Sequence, residues 1–114
     1  MDLPKPVFSK EITVLDRLTS ADFTPYLHQT FTIRLEPVGS IALELAQVAE
    51  LGSAAAEPGA GRRPFSLLFL GPVSQQYLLQ HIYRLEHEQL GALDLFLVPL
   101  GLEAGRMRYE AVFN

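Results

Sequence analysis

The chain has no cysteine among its 114 residues, which excludes a disulfide framework and any thiolate metal site. It also lacks long apolar runs, since no stretch reaches the ~18 residues of a membrane-spanning helix. The first sixteen residues, MDLPKPVFSKEITVLD, lack the apolar core of a signal peptide. We therefore expect a cytoplasmic protein with no membrane partner.

Positive charge is scarce and scattered. The net charge is -4, and the only adjacent basic pair, Arg62-Arg63, falls in a stretch of Gly, Ala and Pro. A nucleic-acid-binding protein normally carries a basic stripe that neutralises phosphates. The sequence thus indicates no nucleic-acid partner.

Motifs typical of catalytic, phosphate-binding or metal-binding sites are also missing. No serine lies in a G-x-S-x-G elbow, and the glycines at 59 and 61 lack the lysine of a phosphate-binding loop. His81 and His87 share a parity on one strand, but six extended residues span about 20 Å, too far to hold one ion. We predict no catalytic, cofactor-binding or metal-binding residues, no cofactor, and no enzymatic activity.

Composition favours one folded domain, because hydrophobic residues make up 48% of the chain and charged residues 19%. We assign residues 1–17 to an extended N-terminal arm and residues 18–114 to a single β domain. Within that domain, residues 52–63 (GSAAAEPGAGRR) indicate a mobile loop.

A short helix is predicted after the arm. Thr19 and Asp22 have the spacing of a capping box, and Leu18 and Phe23 have that of a hydrophobic staple. Pro25 has no amide for the next turn, so the helix should be short. We expect it to cap one end of a sheet.

Period-two alternation then dominates the chain and predicts six strands. They lie near residues 30–35, 41–50, 64–70, 81–87, 92–100 and 107–113. The segment 41–50 is also rich in helix formers, so its strand and helix interpretations both stay open. The fold predicted is mainly β: an antiparallel meander of six strands, barrel-like or strongly curled, with one capping helix.

Two predicted strands are apolar on both faces. Leu68 and Leu70 lie opposite the core parity of one strand, and Phe96 and Val98 lie opposite that of another. The helix, the long loop or another subunit must cover them. These four residues are our candidate protein interface.

The strings LTSADF, QTFTIRL, RRPFSLLFLGP, YRLEHEQLGALDLFLVPLG and RYEAVFN make residues 18–114 similar to a family of small bacterial proteins known only as a domain of unknown function. The resemblance implies an accessory role beside phage-tail-like or tail-collar proteins. It transfers no catalytic or binding residues.

The sequence therefore predicts a non-enzymatic structural or protein-interaction module, either a homo-oligomer or a component of a phage-tail-like assembly. The alternative is a small-molecule-binding β-barrel. Its internal cavity would be lined by Phe31, Phe69, Tyr83, Leu95 and Tyr109.

Overall fold

A computed structural model of the chain describes residues 15–35, 37, 39–51 and 63–114. In that part six antiparallel strands close into a barrel, preceded by one short α-helix. The elements are α1 (Ser20–Phe23), β1 (Thr30–Leu35), β2 (Gly39–Glu50), β3 (Phe65–Val73), β4 (His81–His87), β5 (Gly91–Glu103) and β6 (Arg106–Phe113). The predicted fold class is confirmed.

The segment with two interpretations is a strand. Residues 41–50 belong to β2, which pairs with β1 from Leu35↔Gly39 to Thr30↔Glu44. A register shift between Leu45 and Gln47 interrupts its pairing with β3. Cross-strand pairing on both sides overrides the helix propensity of this stretch.

The strand order is β1-β2-β3-β6-β5-β4, and β4 closes the barrel by pairing with β1. The expectation of a single meander is wrong at one connection, because β3 pairs with β6 rather than with β4. Two three-strand meanders are instead joined by the segment 74–80, which crosses one end of the barrel. We call this segment the crossover.

Side chains fill the barrel interior. Phe31, Phe69, Leu95 and Tyr109 are buried there, and the Phe31 and Phe69 rings meet edge to face at 5.3 Å between centroids. Tyr83, the fifth residue of the predicted cavity, is half-buried. Dense packing at these positions counts against an internal ligand cavity.

The helix α1 closes one barrel end, as predicted. The Thr19 amide donates to the Asp22 carboxylate at 2.8 Å, which confirms the predicted capping pair. Pro25 lies in the 3₁₀ turn Thr24–Tyr26 that ends the helix. Phe23 is fully buried, and its ring packs on those of Phe65 and Phe113, with 5.8 and 5.5 Å between ring centroids.

The crossover closes the other end. The amide of Leu78 donates to the Tyr109 hydroxyl at 2.8 Å, and the Tyr83 hydroxyl donates to the Leu79 carbonyl at 2.7 Å. The amide of Ser74 donates to the Gly105 carbonyl at 3.3 Å. Both tyrosines come from barrel strands, so the strands hold an irregular segment in place.

Two predicted segments fall largely beyond the described residues. Of the arm, residues 1–14 lie outside them, and Leu15–Arg17 forms a 3₁₀ turn. Of the predicted mobile loop, residues 52–62 lie outside, while Arg63 donates to Glu50 at 2.7 Å.

Replacement of Phe23 should test how far the barrel depends on its helical cap. Phe23→Ala removes a fully buried ring from contact with two others, and we expect a loss of about 3 kcal/mol in the free energy of unfolding. Urea denaturation followed by circular dichroism measures this. Val73→Ala, at a side chain that is 76% exposed, is the control and should change stability by less than about 0.5 kcal/mol. Equal effects would show that the cap contributes little.

Candidate functional site

The four predicted interface residues lie on the outer surface of the barrel. Leu68 and Val98 both pair with Glu110 of β6, one from each side, and Leu70 pairs with Arg108. Leu68, Leu70 and Val98 are half-buried, whereas Phe96 is 49% exposed. Of the four, Phe96 is therefore the residue most open to a partner.

Phe96 belongs to an apolar cluster that the sequence analysis did not identify. It pairs with Ile82 of β4, and both line a shallow groove with Val112 of β6. Ile82 is 60% exposed and Val112 is 51% exposed. We call Ile82, Phe96 and Val112 the outer apolar face. Leu15, which precedes α1, also lines this groove.

A sequence signal for the two missed residues does exist. Ile82 shares a parity with Arg84 and Glu86, and Val112 shares one with Arg108 and Glu110, so each places an apolar side chain on a polar face. Each is a single exception within its strand. Only the register between strands brings them beside Phe96.

Paired charges lie near the outer apolar face. The guanidinium of Arg84 donates to both carboxylate oxygens of Asp94, at 2.8 and 3.1 Å. These hydrogen bonds lower the pKa of Asp94. Arg34 donates to Glu86 at 2.9 Å across the β1–β4 seam. These four charges near the face are thus paired within the chain, which as a whole carries a net charge of -4.

The two histidines of β4 lie at opposite ends of the strand and differ in burial. His81 is exposed at the start of the strand, while His87 is buried at its end. Within the described residues, no group of three or more His, Asp or Glu side chains could hold a metal ion.

Both ring nitrogens of His87 are engaged. Nδ1 accepts hydrogen bonds from the amides of Gln89 and Leu90 at 3.1 and 3.2 Å, so the proton resides on Nε2, 2.8 Å from Oε1 of Gln29. The ring stacks on Phe31 with centroids 4.5 Å apart and contacts Tyr26 at 4.6 Å. Burial lowers the pKa of His87, and the nearby Glu88 charge opposes this. His87 therefore acts as a neutral structural residue.

The model of one family, a domain of unknown function (DUF6916), matches residues 18–113. The chain belongs to the DUF6916 family. This agrees with the predicted membership of an uncharacterised domain family, and the match spans every strand of the barrel. No curated protein and no solved structure matches the chain.

Among the described residues of this DUF6916 domain, no helix has the length and apolar character that crossing a membrane requires. The match also begins at Leu18, so the 3₁₀ turn at Leu15–Arg17 precedes it.

The pH dependence of stability should report the state of His87. As the pH falls, His87 is protonated in the unfolded chain before it is protonated in the folded one, because its pKa in the unfolded chain is near the ordinary histidine value of 6.5. The contribution of neutral His87 is thus present above pH 6.5 and is lost as the pH falls toward the lowered pKa of the folded protein. We expect a slope of at most about 1.4 kcal/mol per pH unit in the free energy of unfolding.

His87→Gln cannot titrate and should flatten this dependence, whereas His81→Gln, at an exposed position, should preserve it. Urea titrations of the three proteins at successive pH values provide the comparison. Identical slopes below pH 6.5 for the unaltered chain and His87→Gln would contradict the assignment.

Proposed function

We propose that this domain is a non-enzymatic protein-interaction module that self-associates through its outer apolar face. The observation that carries the proposal is the clustering of Ile82, Phe96 and Val112, each with about half or more of its surface exposed. Neighbouring exposed apolar side chains are typical of interaction surfaces, whereas isolated ones are not.

Closure of the barrel favours association through this face. An open sheet can recruit a partner at an unpaired edge strand, but a closed barrel has no such edge along its paired strands. A partner must then contact the outward side chains. The helix α1 lies over a barrel end and contacts Phe65 and Phe113, so it does not compete for this surface.

A second copy of the chain suits this face because of its charges. Two copies that each carry -4 repel one another over most of their surfaces. Beside the outer apolar face, however, Arg84 is paired with Asp94, and Arg34 is paired with Glu86. A two-fold arrangement would set Phe96 of one copy against Ile82 and Val112 of the other with little electrostatic cost.

The biological setting is a finer proposal. We place the domain in the cytoplasm of a bacterium, as an accessory or assembly component of a phage-tail-like system. The support for this setting is the resemblance of its sequence strings.

A charged substitution at the centre of the face should separate association from folding. Phe96→Glu would bury a carboxylate in the interface, so we expect the dissociation constant of the dimer to rise at least about ten-fold. Sedimentation velocity over a concentration series measures the dissociation constant. At concentrations below the dissociation constant, where the monomer predominates, thermal denaturation should show little change, because Phe96 is 49% exposed in one chain.

Leu102→Glu is the matched control, since Leu102 is a similarly apolar residue, 62% exposed, that does not line the groove. It should leave the dissociation constant unchanged. A strict monomer at all micromolar concentrations, or equal weakening by both variants, would refute self-association through this face.

A further inference from the structure

A second concave site lies at the crossover end of the barrel. It is a cleft of about 310 Å³ between the crossover and the nearby ends of four strands, β1, β2, β3 and β6. Its walls include Leu35 of β1, Ile41 of β2, Met107 and Tyr109 of β6, and Leu78 of the crossover. It shares no lining residue with the outer apolar face.

The lining has a distinct chemical character. No charged side chain is among the described residues that line it, and aliphatic and aromatic groups dominate these walls. Ser74 and Gln76 supply the polar rim, where the Ser74 hydroxyl accepts a hydrogen bond from the Gln76 amide at 3.0 Å. A cleft of this kind disfavours ions and accommodates a compact apolar body.

One polar group in the cleft has unused hydrogen-bonding capacity. The Tyr109 hydroxyl accepts from the Leu78 amide at 2.8 Å, but it donates to no other described residue. Tyr109 is 3% exposed and lines the cleft, so an acceptor on a molecule bound there would complete the hydrogen bonding of its hydroxyl. Burial raises the pKa of this phenol, which therefore keeps its proton and stays a donor.

The Tyr109 ring is held in position by its neighbours. A Cβ at Gly71 would lie 3.2 Å from Cε2 of Tyr109, so the absence of a side chain at Gly71 makes room for the ring. Because the hydroxyl also fixes the crossover through Leu78, the donor and the cleft wall form one unit.

We propose that this cleft is a binding site for an uncharged small molecule with an apolar body and one hydrogen-bond acceptor, which the Tyr109 hydroxyl engages. The volume equals that of about ten water molecules at ~30 Å³ each, which suits a single-ring compound. The inference concerns a site separate from the self-association face and does not depend on it.

Acetophenone is a suitable probe, since it is a neutral single ring with one carbonyl acceptor. Benzoate is the matched control, because it has the same number of non-hydrogen atoms but carries a negative charge. In ¹H–¹⁵N correlation spectra of the full chain, acetophenone should shift the amides of Leu78, Met107 and Tyr109 saturably. Benzoate should bind at least about ten-fold more weakly, because no described side chain that lines the cleft carries a positive charge.

Two variants assign the binding to the cleft. Tyr109→Phe removes the donor and should weaken acetophenone roughly five-fold, the worth of one hydrogen bond. Tyr83→Phe removes the hydrogen bond to the Leu79 carbonyl and changes no lining residue. This variant should bind acetophenone nearly as well as the unaltered chain. Ile41→Phe fills the cleft and should abolish the saturable shifts.

The titration of the unaltered chain is decisive even if a variant fails to fold. Absence of saturable shifts at these amides up to the solubility limit would overturn the proposal. So would equal binding of benzoate, or unchanged affinity in a folded Ile41→Phe variant. None of these results bears on self-association, which sedimentation measures independently.

Discussion

Closure of the sheet between β1 and β4 is the constraint on which the rest of the structure depends. This seam has only two register pairs, Thr32↔Glu86 and Ile33↔Leu85, whereas β4 and β5 share seven. The Arg34–Glu86 ion pair lies across it. Once the seam closes, each strand has a hydrogen-bonded neighbour on both sides and one face turned to the interior. The inner side chains must then fill the interior, and separate segments must cover both ends.

Local patterns were sufficient to predict the strands and the helical cap. Alternation identified the strands other than β2, whose residues 41–50 kept a helix interpretation, and the Thr19–Asp22 spacing identified the start of α1. These features depend on neighbours within a few residues. Strand order was less accessible. The segment 74–80 has no turn chemistry that distinguishes a hairpin from a crossing, and the choice depends on contacts between β3 and β6 that are distant in sequence.

Only part of the candidate interface was predictable, because exposure also depends on contacts that are distant in sequence. Counting apolar residues on both faces of one strand identified Phe96, but it also selected Leu68 and Val98, which flank Glu110 and are half-buried. Exposure depends on the register across strands, and this register brought Ile82 and Val112 beside Phe96. Arg84 and Glu86 of β4 likewise have cross-strand partners, in β5 and β1 respectively.

The two ends of the barrel differ in a way that bears on function. At the helix end, Phe23 contacts two rings and His87 uses both ring nitrogens in hydrogen bonds to Gln29, Gln89 and Leu90. At the crossover end, single hydrogen bonds from Leu78, Tyr83 and Ser74 attach an irregular segment beside a cleft. Irregular segments on a rigid scaffold commonly carry binding function, because they can adjust without disturbing the core. The proposed cleft thus lies beside the end that few hydrogen bonds close, and not in the filled interior.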